Sequence, residues 1–210
     1  KKPEPVARIT DTITEEAVDK AVEMISQAKK PFVFVGGGAV ISGADKELAE
    51  FVKKLHAPVT DSLMGKGAFN GTDPLYMGML GMHGTKAANF GVSECDLLVV
   101  VGARFSDRVT GNARKFATNA RIVQFDVDPA EINKNIRVEA SVIGDVKEIL
   151  KRVNEKLTQQ RHDEWVEHVE ELAKKYPLTY HTDKLTGPYI MEKIYEVTKG
   201  DAIITTEVGQ

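Results

Sequence analysis

Residues 96–101 read DLLVVV and stop abruptly at Gly102. A short, valine-rich apolar run is what a strand buried on both faces requires, and such strands occur in parallel sheets covered by helices. In an open parallel sheet, ligands lie beyond the carboxyl ends of the strands. The residues that follow, Gly102, Ala103, Arg104, Ser106, Asp107 and Arg108, therefore fall where a phosphate or ribose is held. Within the wider run 83–111, HGTKAANFGVSECDLLVVVGARFSDRVTG, a Gly-bounded helix, the strand and an arginine-bearing turn follow in the order a nucleotide-binding unit needs. An ordinary strand followed by a solvated loop is the competing reading.

The surrounding chain repeats the alternation. Thr12 and Glu15 make a capping-box pattern ahead of Ala17, Val18, Ala21, Val22 and Ile25, which predicts an amphipathic helix ending near Lys29 and Lys30. The strand FVFV follows at 32–35, then the triplet Gly36, Gly37, Gly38 and a helix with Leu48, Phe51, Val52 and Leu55 on one face. Residues 58–61 predict a short strand, and 62–82 a long connection rich in Gly and Met. Loops of that length inside a compact domain are usually functional. Further strands are expected at 121–126 and 138–143, and a helix behind Asp145 carries Val146, Ile149, Leu150, Val153 and Leu157. The pattern implies an α/β fold, a doubly wound, Rossmann-like parallel sheet with flanking helices. Residues 1–11, with Pro3 and Pro5, suit a linker, and 158–186 reads as a second, polar and partly helical linker. A helix over 187–199 and a strand over 201–205 then predict the start of a second α/β domain.

With 210 residues, a net charge of −3 and 28% charged side chains, the chain has no bias toward nucleic acid or membrane. The expected ligand is small. The single cysteine, Cys95, leaves no disulfide framework and reads as an inert residue, so a reducing cytoplasm is the expectation. The chain opens at Lys1 and stops at Gln210, directly behind a strand-like segment, and is expected to be an excised piece of a longer polypeptide.

Each candidate site has a plainer rival. The glycine triplet brings backbone N–H groups toward a phosphate, yet the third glycine of G-x-G-x-x-G is replaced by Ile41, which leaves a plain tight turn in contention. Asp61 ends a strand near where a ribose-binding acid belongs, but the fingerprint it would support is broken. Asp126, Asp128 and Asp145 serve either a ligand or a helix cap; capping suits Asp128 and Asp145, and Asp126 has the better claim to a ligand. Their spacing matches no calcium loop, and no metal site is expected. His83, between glycines, has no nucleophile motif beside it, so binding or structure outweighs catalysis. Arg104 and Arg108, four apart in one turn, suggest an anion, with surface ion pairs to Asp107 as the alternative.

GGGAVISG, DSLMGKGAF, the 80–111 run, QFDVDPAEINKN and GDV together closely resemble the large catalytic subunit of acetolactate synthase, a thiamine diphosphate enzyme. The resemblance implies a central FAD-binding domain over 12–157, with about six parallel strands, and a truncated pyrophosphate-binding domain over 187–210. It places FAD against Gly37 and Gly38, then Ser62, Leu63 and Met64, then Leu80, Gly81, Met82, His83, Gly84 and Thr85. Gly102, Ala103, Arg104, Arg108 and Val109 would hold its middle; Asp126, Val127, Gly144 and Asp145 would meet the adenosine end. Arg108 also matches the arginine that orients the second 2-ketoacid, and FAD is not turned over by the carboligation. The catalytic glutamate and the GDG-plus-asparagine site for thiamine diphosphate and Mg2+ have no match here. The partial look-alikes at Gly144-Asp145-Val146 and Gly200-Asp201-Ala202 do not replace them, so the piece is expected to be inactive alone. The resemblance further implies pyruvate or 2-ketobutyrate as substrates, branched-chain amino acid biosynthesis, a homodimer or tetramer, and a regulatory small subunit. The alternatives are glyoxylate carboligase, pyruvate oxidase, or a nucleotide module for ADP or NAD.

Overall fold

In a computed structural model of the chain the described residues are 8–206. Pro3, Pro5 and most of the proposed first linker lie outside them, as does Gln210. The elements run α1 (Glu15–Ser26), β1 (Pro31–Val35), α2 (Gly37–Ser42), α3 (Asp45–Leu55), β2 (Val59–Asp61), β3 (Tyr76–Met79), α4 (Lys86–Glu94), β4 (Leu97–Val101) and α5 (Asp107–Thr110). They continue with β5 (Arg121–Asp126), β6 (Ala140–Ile143), α6 (Val146–Lys156), α7 (Asp163–Lys175) and α8 (Gly187–Thr198). The six strands form one sheet in the order β3-β2-β1-β4-β5-β6, every neighbouring pair parallel. The α/β expectation holds. The chain winds outward from β1 to β3, then returns to lay β4 beside β1, which puts the topological switch point between those two strands.

Both faces of the central strands are covered, as their unbroken apolar runs require. Along β1, Phe32 and Phe34 face one core with Ala88 and Val92 of α4 and Trp165 and Val169 of α7. Val33 and Val35 face the other, with Ile25 of α1, Phe51 and Leu55 of α3, and Ile149 and Val153 of α6. Fully burying side chains of this size stabilises by about 1.5–3 kcal/mol each before conformational entropy is counted. Cys95 is buried in the first core, and burial pushes its thiol pKa up, consistent with an inert residue.

Five local expectations are corrected. The cap of α1 is Thr14, whose Oγ1 accepts from Ala17 N at 3.2 Å, while Thr12 Oγ1 instead donates to Ile143 O at 2.6 Å and ties the entry segment to β6. The helix behind the glycine triplet is two helices, broken where Gly43 adopts φ 61°. The expected loop over 62–82 contains β3, an edge strand concealed because YMGM is poor in β-branched residues and carries Gly78 at φ 85°. It forms because β2 offers a pairing edge, with an irregular register between Val59↔Tyr76 and Asp61↔Met79.

The helix expected within the second linker is α7, over residues 163–175, but it packs into the sheet's core instead of standing apart from it. Its narrow stripe of Trp165, Val166 and Val169 is buried, and Trp165 Nε1 donates to Pro31 O at 2.8 Å. The first compact unit accordingly runs to Tyr176, and the second comprises Pro177–Gln210. Within that second unit α8 is present, but the strand expected over 201–205 is not: residues 201–206 form no strand among the described residues, and Ile203 is fully exposed. A strand is a relation between neighbours, and no described strand flanks this one.

Candidate functional site

At the switch point the loops after β1 and β4 are jammed together. Gly36 N donates to Val101 O and Gly38 N to Gly102 O, both at 2.9 Å. A Cβ on Gly36 would lie 2.3 Å from Gly102 O, and one on Gly38 2.8 Å from Gly102 Cα. Gly102 itself sits at φ 59°. The triplet's requirement for glycine is thus a loop-against-loop contact, and the N–H groups of Gly36 and Gly38 are already engaged by carbonyls. Of the two readings of this triplet, the tight turn describes its geometry.

The other nominated residues gather along the same carboxyl edge. Gly37 packs on Met64, where an added Cβ would approach the Met64 Cβ at 3.1 Å, and Ser62 N donates to Val35 O at 2.9 Å. One strand further out, Gly81 at φ 99° lets the 80–85 loop close on the turn after β4, and Met82 N donates to Arg108 O at 2.9 Å. Arg108 Nη1 reaches Met82 Sδ at 3.7 Å. Thr85 caps α4, accepting from Ala88 N at 3.1 Å, while His83 is exposed. Across the switch point, Gly144 N donates to Asp126 O at 2.9 Å, so the ends of β5 and β6 are joined. Asp145 is the N-cap of α6 and also accepts from Arg8 Nη1 at 2.7 Å; Asp128 caps a 3-10 turn.

The electrostatics of this edge are unbalanced. Arg104 and Arg108 meet no carboxylate within ion-pair distance among the described residues; Asp107 Oδ1 accepts from the Arg108 backbone N at 2.9 Å instead. The surface-ion-pair alternative is therefore not what forms. Large apolar side chains stand exposed nearby, Ile41 at 84%, Leu63 at 68%, Met64 at 74% and Met82 at 62%. Unpaired guanidinium groups beside exposed apolar surface suit a ligand that is both anionic and flat.

Two features escaped sequence reasoning. Gln124, buried on β5, donates from Nε2 to Ala103 O at 3.1 Å and to Asp126 Oδ2 at 3.4 Å, and its Oε1 has no partner. Burial raises the Asp126 pKa against the opposing hydrogen bonds from Asp128 N, Gln124 and Val127 N. The only signal was one amide inside the apolar run RIVQFD. The second is that Asp61 is not free for a ribose: Tyr76 Oη donates to its Oδ2 at 2.8 Å and Lys66 Nζ lies 3.3 Å from its Oδ1. Burial works against the Lys66 charge, but Tyr76 and Asp61 outweigh it and raise its pKa. With that acid occupied and the N–H groups of Gly36 and Gly38 engaged, both devices by which a dinucleotide fingerprint holds NAD are weakened here.

A concavity of about 880 Å³ lies elsewhere: it opens at the amino edge among Lys30, Glu94, His162, Trp165 and His168. Among the described residues no group of three His, Cys, Asp or Glu side chains is placed to hold a metal ion, and no helix is long and apolar enough to cross a membrane.

Comparison with known proteins agrees with this architecture. The chain is 43% identical over 202 residues to "Acetolactate synthase large subunit" of Cyanidium caldarium, covering 92% of this chain and 34% of that protein. It is 42% identical over 204 residues to "Probable acetolactate synthase large subunit" of Methanocaldococcus jannaschii, again with 92% and 34% covered. Against "Acetolactate synthase isozyme 2 large subunit" of Escherichia coli it is 39% identical over 201 residues, 95% of this chain and 36% of that protein. The chain thus spans about a third of the length of the curated relatives it matches. The family described as "Thiamine pyrophosphate enzyme, central domain" matches residues 18–153, which run from within α1 to within α6 and take in all six strands. The chain belongs to that family.

Proposed function

We propose that this chain is the cofactor-binding central part of an acetolactate synthase large subunit and that its carboxyl edge holds FAD. The observation that carries the cofactor reading is the pair Arg104 and Arg108, which project from the turn after β4 with no carboxylate opposite them among the described residues. The pyrophosphate of FAD supplies the anion. The Asp126 carboxyl, the last residue of β5, is an acceptor at that end, in keeping with the amine and hydroxyl groups of the adenosine part. Leu63, Met64 and Met82 offer apolar cover on the β2–β3 side.

In the intact enzyme the reaction joins two 2-ketoacids, pyruvate with pyruvate or with 2-ketobutyrate, and releases CO2. Thiamine diphosphate, bound with Mg2+, supplies the electron sink for the decarboxylation. The residues of this chain position rather than react: Arg108, steadied by Met82 Sδ, presents a fixed cation suited to the carboxylate of the second 2-ketoacid. Assembly as a homodimer or tetramer, a regulatory small subunit and a cytoplasmic location belong to the same reading.

The test is titration of the purified protein with FAD, followed by quenching of flavin fluorescence. Saturable binding is expected. Arg104→Ala is expected to weaken it about tenfold, the effect of losing one charge-assisted contact, with little change in melting temperature because the side chain is exposed. No saturable FAD binding, or tighter binding of NAD than of FAD, would overturn the reading.

A further inference from the structure

The end of β2 holds a charged cluster that the proposed site does not itself use. Asp61 Oδ2 accepts from Tyr76 Oη at 2.8 Å, Lys66 Nζ lies 3.3 Å from Asp61 Oδ1, and the same Nζ lies 3.1 Å from Tyr76 Oη. The Asp61 side chain is 6% exposed and that of Lys66 47%. The three groups come from the last residue of β2, the loop behind it and the first residue of β3. They anchor the rear of the 62–66 turn. Its front is pinned separately: Ser62 Oγ accepts from Gly65 N at 3.2 Å, and Gly65 lies so close to β1 that an added Cβ would stand 2.4 Å from Val35 O.

Held at both ends, the turn carries Leu63 and Met64 outward. Exposed apolar side chains of this size gain nothing from burial within the chain, whereas a surface already fixed in place binds without the cost of ordering it. We propose that Asp61, Lys66 and Tyr76 form a positioning latch that presents Leu63 and Met64 as a preformed apolar wall for the isoalloxazine end of the flavin. The proposal rests on the FAD reading. It also has a direction: β2 and β5 are three strand spacings apart, about 14 Å, so a nucleotide held by its adenosine part at Asp126 and ending at its phosphates by the turn after β4 does not reach the wall.

Titrating FAD and ADP separately tests this on wild type, Lys66→Met, Lys66→Arg and Tyr76→Phe. Lys66→Met is expected to raise the Kd for FAD about tenfold and to leave that for ADP unchanged. Lys66→Arg is expected to restore most of the loss, since it restores the cation. Tyr76→Phe removes one hydroxyl and almost no volume, so it keeps the question open to measurement if Lys66→Met folds poorly; a smaller loss in the same direction is expected. Unchanged FAD affinity in both Lys66→Met and Tyr76→Phe would overturn the latch while leaving FAD binding intact. Equal losses for FAD and ADP, tracking a fall in melting temperature, would reduce the cluster to a structural brace and overturn it as well. A wild type that binds no FAD would remove the cofactor reading and the latch together, a result distinct from either.

Discussion

At the amino edge of the sheet, Asp96 accepts the backbone N–H groups of Lys29 and Lys30 at 2.8 and 2.9 Å, and Trp165 Nε1 donates to Pro31 O. Both ring nitrogens of His162 face carbonyl oxygens there, Leu55 O at 2.8 Å and Ala28 O at 3.1 Å. At the carboxyl edge, Arg104 and Arg108 face no described carboxylate and Gln124 Oε1 has no partner. A concavity of about 880 Å³ opens at the amino edge. Shape and unpaired charge therefore point to different edges. Buried polar groups are normally satisfied within a fold; Glu47 Oε2 and Asn154 Oδ1, on α3 and α6, also lack partners, so the contrast between the edges rests on the two unpaired arginines.

The sharpest way to break this contrast is Trp165→Ala. Truncating a buried Trp costs about 4 kcal/mol in unfolding free energy, measured by denaturant titration, while FAD affinity of the folded protein is expected to stay within a factor of about two, since Trp165 packs against the start of β1. A loss of FAD affinity without a loss of stability would erase the distinction between the edges. Next in size is Gly102→Ala, which adds a Cβ 2.8 Å from Ala39 N at φ 59°. Strain and overlap together are expected to cost about 2–4 kcal/mol. Gly43→Ala is its control, because the φ of 61° is similar but nothing lies within 4 Å of the added atom; about 1 kcal/mol is expected. Equal costs would show that backbone conformation, not loop contact, demands glycine at the switch point.

The smallest effect concerns the half-exposed Lys66 cluster, worth under about 1 kcal/mol after solvent screening. Its folded pKa is raised above the ordinary 10.5, so its contribution is complete below that value and disappears as pH rises through the folded value. The difference in melting temperature between wild type and Lys66→Met is accordingly expected to be steady from about pH 7 to pH 9 and to shrink above the ordinary lysine value. A difference that grows with alkalinity would mean that the cluster does not stabilise the charged amine.

Much of this was legible beforehand. DLLVVV and FVFV declare buried parallel strands because strands covered on both faces need uninterrupted apolar runs, and β4 and β1 indeed pair through Val33↔Val99 and Val35↔Val101. Arg104 and Arg108 stood out as two cations in one turn behind a strand. β3 and the packing of α7 did not. YMGM becomes a strand only against β2, and Trp165 and Val169 become core residues only against β1 and α4.

The sequence by itself determined the α/β class, the positions of the central strands and the residues standing at their carboxyl ends, because burial on both faces is written in consecutive side chains. Tertiary structure alone decided which of those residues are spent. The carbonyls of Val101 and Gly102 engage Gly36 and Gly38, Lys66 and Tyr76 occupy Asp61, and Arg8 reaches Asp145 from the entry segment. These partners meet across distances in sequence that no local pattern encodes, since loops are brought together by the order in which the strands pair.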